Sequence, residues 1–188
     1  MKINLNPNPK PLPDAERDEK IAAGGFGKYY TDNMVTIDWS EADGWSDANL
    51  NAYGPITLDP ATAVFHYGQE IFEGMKAYSQ PDGSISLFRP DANAMRFARS
   101  AARLALPELS VEEFIETITT LVKQDRKWVP KKVGESLYIR PFMFATEVGL
   151  GVRPSNKAKY VLIATPAGAY FNAANAVTVW ISTEYVRA

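Results

Sequence analysis

The chain has 188 residues, a formal net charge of -2 and 46% hydrophobic residues, enough apolar material for a packed core and too little basic excess for wholesale binding to nucleic acid. It has no cysteine, which excludes disulfides and thiolate metal sites and fits a reducing compartment. No apolar run approaches the ~20 residues that span a bilayer, and residues 1–20 lack the apolar core of a secretory signal, so a cytoplasmic protein is expected.

In chain order, Pro7, Pro9, Pro11 and Pro13 mark a polar segment that reads as an arm laid over a surface or as disorder. Gly24, Gly25 and Gly27 flank Phe26 in a mobile or tightly turned loop. With no strand before it and no helix pattern after it, this cluster is not a nucleotide fingerprint. Residues 34–39 predict a strand with Val35, Ile37 and Trp39 on one face. Asp59-Pro60 predicts a helix start, and residues 62–72 a helix ending near Gly74. Residues 75–78 and 84–88 flank Pro81-Asp82-Gly83, a hairpin signal in which proline presets φ and glycine accepts a positive one.

Pro90-Asp91 opens a helix running to about Leu106. Ser110 and Glu113 form a capping box for the next, with Val111, Phe114, Ile115, Ile118, Leu121 and Val122 on one stripe. Residues 136–145 and 160–165 predict strands, residues 166–175 a linker, and residues 177–182 another strand. That last strand either adds to the same sheet or begins a second domain.

Arg96, Arg99 and Arg103 share one side of the first long helix, away from Phe97, Ala101 and Leu104. Such a stripe is either a solvated face or, at one position, a fork of donors for a phosphate. In residues 136–145, Tyr138, Arg140, Phe142 and Phe144 share one face, and Leu137, Ile139 and Met143 the other. An arginine among aromatics needs a partner, either a carboxylate ligand or an internal Asp or Glu. Pro141 cannot donate to a ladder, which predicts an edge or bulged strand. His66 is the only histidine, so neither a hydrolase triad nor a metal site is expected and a structural role is. Glu70 and Glu73 read as solvated or helix-capping.

The run His66-Tyr-Gly-Gln-Glu-Ile-Phe-Glu-Gly-Met-Lys-Ala-Tyr78 resembles a signature of branched-chain amino-acid aminotransferases. Phe26-Gly-Lys-Tyr-Tyr-Thr-Asp-Asn-Met34, Leu87-Phe-Arg-Pro-Asp-Ala-Asn-Ala-Met-Arg96, Ser136-Leu-Tyr-Ile-Arg-Pro141, Leu150-Gly-Val152 and Pro166-Ala-Gly-Ala-Tyr-Phe171 follow in the family's order and spacing. The collinear set, rather than any one motif, makes the resemblance specific.

The resemblance implies a fold type IV enzyme using pyridoxal 5'-phosphate. Its α+β small N-terminal domain, a mostly antiparallel sheet with helices, would span residues 1–167. An interdomain loop would follow at 168–175, and 176–188 would start a truncated large C-terminal domain. It implies that Arg96 binds the cofactor phosphate and that Phe26, Tyr67, Tyr138 and the loop residue Tyr170 bind substrate. Arg140 would receive the side-chain carboxylate of glutamate. Leu150 and Val152 would reach the neighbouring subunit's pocket in a homodimer.

The substrates implied are branched-chain amino acids, glutamate and 2-oxo acids. The cofactor-binding lysine is expected beyond Ala188, so no catalytic residue is assigned in the chain, Lys76 matches no such position, and these residues alone are expected to be inactive. The alternatives are a D-amino-acid transaminase or aminodeoxychorismate lyase of the same fold, or a non-catalytic dimerising or ligand-binding fragment.

Overall fold

The central element is a pair of long antiparallel strands, β8 (Ser136–Ala145) and β9 (Lys157–Ala167), in register from Ser136 opposite Ala167 to Ala145 opposite Ala158. The computed structural model describes residues 1–168, 176 and 178–184. Within them, β1 (Ile3–Leu5), β2 (Asn33–Ser40), β3 (Gly44–Trp45), β4 (Ala48–Ala52), β5 (Glu70–Phe72), β6 (Met75–Ser79) and β7 (Ile85–Leu87) complete one sheet. Its order is β1-β4-β2-β9-β8-β6-β7, with β3 paired to β2 and β5 to β8. Only β1 and β4 run parallel. With four helices, this is the α+β, mostly antiparallel class expected.

Two helices cover one face. α3 (Pro90–Arg103) starts with proline at its first turn, where the missing N–H has no intrahelical use. α4 (Val111–Gln124) starts with the expected capping box, the Ser110 hydroxyl accepting from the Glu113 N–H at 3.2 Å. Phe97 and Ala101 from α3 and Phe114, Ile118 and Leu121 from α4 meet Leu137, Ile139, Met143, Tyr160 and Leu162 in the core. Val35 and Ile37 join them as predicted, while Trp39 is only partly buried. The hairpin of β6 and β7 also forms as predicted, with Gly83 at φ 81° and Asp82 accepting from the Ser84 N–H at 2.9 Å.

The polar arm is ordered. β1 pairs with β4, and residues 14–23 form a helix, α1 (Asp14–Ala23), for which the sequence carries no periodic signal. Side chains clip the stretch between them. Asn33 Oδ1 accepts from the Asn8 N–H at 2.7 Å, and Asp32 accepts from the Leu12 N–H at 2.9 Å and from Trp128 Nε1 at 2.7 Å. The helix expected over 62–72 is short: α2 (Ala63–Tyr67) ends at left-handed Gly68. Residues 70–72 then alternate exposed, buried, exposed, the period of a strand, with Ile71 opposite Met143.

Pro141 predicts an edge or bulged strand, and β8 is neither: its ladder with β9 runs residue for residue through Pro141 opposite Leu162. Its neighbours lie on both sides, and the Pro141 carbonyl points to the break between β5 and β6, where it accepts from the Glu73 N–H at 2.9 Å. A residue's carbonyl and N–H face the same side of a strand, so the missing donor falls at the break and costs no ladder bond. The strand expected over 177–182 is also absent from the described residues: 178–184 pair with no strand, and Val179, Trp180 and Ile181 are exposed. Among the described residues, no helix is long and apolar enough to cross a membrane.

Candidate functional site

The face of β8 turned away from α3 and α4 carries Tyr138, Arg140, Phe142 and Phe144, as the period of two requires. Arg140 donates from Nε and Nη2 to the Tyr138 hydroxyl at 3.2 and 2.8 Å. Its guanidinium carbon lies 4.4 Å from the centre of the Phe72 ring and 5.3 Å from that of Tyr138. Among the described residues Arg140 makes no ion pair. Of the two partners the sequence allows, an internal Asp or Glu is not found among the described residues. A hydroxyl and two ring faces hold a half-buried cation, which suits the planar guanidinium.

Phe26 meets Tyr138 edge-on, with ring centroids 4.8 Å apart. It comes from the glycine loop, which is tightly turned as expected: Gly24, Gly25 and Gly27 have φ of 64°, 100° and 67°. The Gly168 N–H donates to the Gly25 carbonyl at 3.5 Å, tying the loop to the end of β9. Tyr170, two residues on, lies outside the described residues. Sequence reasoning misses Phe72, because residues 62–72 read at helical period. The residues Glu70-Ile71-Phe72 do not alternate in polarity, so no local signal marks Phe72; only the burial in the fold alternates, exposed, buried, exposed.

The break between β5 and β6 holds the second part of the site. Glu73 is 5% exposed, neither solvated nor capping a helix as expected. Its carboxylate accepts from Arg96 Nε and Nη2 at 2.5 and 2.7 Å, from Asn93 Nδ2 at 3.0 Å and from the Gly74 N–H at 3.3 Å. Burial pushes this carboxyl up, but the hydrogen bonds from Arg96 and Asn93, with the Arg96 charge, outweigh it and leave it below the usual carboxylate range. Of the arginine stripe, Arg99 and Arg103 are solvated. Arg96 differs: one edge of its fork is held, while its side chain stays 59% exposed.

Gly74 joins the two parts. A Cβ here would overlap the Tyr138 hydroxyl and stand 3.0 Å from Tyr138 Cζ, so only a residue without a side chain lets Tyr138 occupy this place. Arg96, Glu73, Gly74, Tyr138, Arg140, Phe72 and Phe26 are thus linked contact by contact.

Tyr67 and Leu150 form a neighbouring pair. Tyr67 ends α2 and donates from its hydroxyl to the Leu150 carbonyl. The loop after β8 is clipped to α2 by the Ala63 N–H on Glu147 O and the Gly149 N–H on Ala61 O, both at 2.9 Å. The side chains of Leu150 and Val152 remain exposed. His66 Nε2 bonds the Pro60 carbonyl at 3.0 Å, bracing the turn before α2. Among the described residues, no group of three or more His, Asp or Glu could hold a metal ion.

No family model matches the chain. A probable branched-chain-amino-acid aminotransferase of Streptomyces coelicolor is 56% identical over 99% of this chain and 52% of its own length. The branched-chain-amino-acid aminotransferase of Mycolicibacterium smegmatis is 57% identical over 100% of this chain and 52% of its own. The chain therefore spans about half the length of the curated relatives it matches. Among solved structures, the Escherichia coli branched-chain amino acid aminotransferase superposes with a TM-score of 0.55 at 25% identity, over 73% of this chain and 41% of that one. A second solved branched-chain amino acid aminotransferase, complexed with N-(5'-phosphopyridoxyl)-L-glutamate, superposes with a TM-score of 0.51 at 26% identity, over 69% of this chain and 40% of that one. In sequence and in fold, these 188 residues are similar to branched-chain-amino-acid aminotransferases over about half of those proteins' length.

Proposed function

We infer that the protein carrying this chain is a pyridoxal-phosphate-dependent transaminase that moves the amino group of leucine, isoleucine or valine to 2-oxoglutarate. In this reading residues 1–167 are its small domain, 168–175 the interdomain loop and 176–188 the start of a larger domain. The enzyme works in the cytoplasm as a homodimer. The observation that carries the reading is Arg140, a half-buried arginine on an aromatic face with no carboxylate partner among the described residues. The relatives' names support it, as does the solved relative's complex with phosphopyridoxyl-glutamate.

The donor chemistry present fits the cofactor's phosphate: Arg96 keeps one edge of its fork outward while Glu73 holds the other. Bound pyridoxal phosphate supplies the carbonyl that accepts the amine and the ring that draws electrons from the substrate's α-carbon. This chain's residues bind and orient. Phe26, Tyr67 and Tyr138 offer aromatic surface to a branched aliphatic side chain, whose burial is worth ~1.5–3 kcal/mol, and Tyr170 is assigned to substrate binding with them. Arg140 turns from the Tyr138 hydroxyl to the side-chain carboxylate when glutamate or 2-oxoglutarate enters. Leu150 and Val152 reach into the pocket of the neighbouring subunit.

Arg140→Met tests this in the intact enzyme. Leucine presents no side-chain charge, so its single-turnover rate should change little. Glutamate's should fall about 10- to 150-fold, the loss of a charge-assisted hydrogen bond of ~1.5–3 kcal/mol. Equal losses for both would show that Arg140 serves the α-carboxylate or the fold instead.

A further inference from the structure

We propose that Glu73 is a positioning residue for Arg96: its buried carboxylate aims the arginine's free edge at a phosphate monoester. The proposal rests on the reading that Arg96 faces the cofactor phosphate. It adds a function for a carboxylate that the sequence alone reads as solvated or helix-capping.

Three observations carry it. Glu73 is nineteen-twentieths buried on a strand break, and its own N–H is fixed to the Pro141 carbonyl at 2.9 Å. Its position is therefore set by the central strand rather than by a mobile loop. Next, the contact to Arg96 is two-pronged, through Nε and Nη2, which fixes the plane of the guanidinium as well as its place. Finally, Asn93, one turn before Arg96 on α3, donates to Glu73 at 3.0 Å and to the Gly74 carbonyl at 3.3 Å. Helix and strand break are thus tied by a second bond, and neither the carboxylate nor the arginine can rotate alone. An exposed arginine side chain without such a frame samples many rotamers, and ordering it on binding costs affinity. Here that cost is met before the anion arrives.

The same geometry admits an opposite effect. A carboxylate on Arg96 also neutralises its charge and could compete with an incoming anion. The two effects differ in sign, so one substitution separates them. The intact protein, stripped of cofactor, is titrated with deoxypyridoxine phosphate and with phosphate-free deoxypyridoxine, neither of which has an aldehyde to react. Glu73→Gln keeps the shape and removes the charge. The expected result is about a tenfold loss of affinity for the phosphorylated probe with none for the other. In an Arg96→Ala background, Glu73→Gln should leave the ratio of the two affinities unchanged. Asn93→Ala, which spares the ion pair, should lower the ratio about two- to fourfold and decides the matter if Glu73→Gln does not fold. Tighter binding of the phosphorylated probe by Glu73→Gln, an unchanged ratio, or equal loss for both probes overturns the positioning role. Failure of the underlying reading looks different: Arg96→Ala itself would then leave the ratio untouched.

Discussion

Tyr138 and Tyr160 stand on adjacent strands and face opposite sides of one sheet. Tyr160 is fully buried between Phe97 and Phe114, with ring centroids 5.7 and 6.3 Å away, and its hydroxyl meets Thr117 at 3.1 Å. Burial pushes its phenol up, so it stays neutral and serves packing alone. Tyr138 is half-exposed, and its hydroxyl receives an arginine. The contrast shows how period two divides labour: alternate residues of β8 face a dry core and a chemical surface, and each set can vary with little cost to the other.

The division breaks most visibly on the core side. Phe97→Ala should lower unfolding free energy by ~3–5 kcal/mol in urea titration, through lost burial and the cavity left behind. The ratio of leucine to glutamate turnover should stay where it is. A shifted ratio would mean the two faces are coupled through the sheet. Gly74→Ala should do the reverse. Its new methyl meets the Tyr138 hydroxyl, so Tyr138 must swing and Arg140 loses its acceptor. We expect a stability loss of ~1–3 kcal/mol but a changed leucine-to-glutamate ratio. An unchanged ratio would remove Gly74 from the site. Ser110→Ala should cost ~1 kcal/mol by opening the capping box of α4, and leave both probe affinities and the turnover ratio alone.

What could be read in the sequence was local. The capping box at Ser110, proline at the start of α3, the hairpin at Gly83 and the alternation of β8 each lie within a few residues of one another. α1 gave no such signal. Its ten residues, rich in Asp, Glu and Lys, offer no apolar stripe, and one tie to the rest of the fold is Asp14, which accepts from Lys127 Nζ at 3.1 Å. The clips at Asp32 and Asn33 join residues far apart in the chain and cannot be seen from either end. The site divides in the same way. Tyr138 and Arg140 announce themselves two apart on a strand, and Arg96 by its place in a collinear set. Glu73 could not, because its neighbours in sequence are Phe72 and Gly74, whereas its partner stands on a helix beyond a hairpin. Pro141 misled for the same reason: a break in the neighbouring strands, not an edge, accommodates it.

The position of β9 has a kinetic consequence. It is the last strand of the described residues, yet it lies between β2 and β8, with Val35 opposite Leu162 and Arg140 opposite Ile163. Among the described residues, the early ribbon of β1, β4 and β2 and the later group of β5 to β8 have no other ladder joining them. During synthesis both must wait, each with an open edge, until residues 157–167 leave the ribosome. Pairing β9 with β2 closes the long stretch of chain between Ser40 and Lys157, which is entropically costly, and unpaired edges in the interval invite pairing with other chains. The sheet is therefore completed at its middle, and the step most exposed to aggregation is the insertion of its central strand.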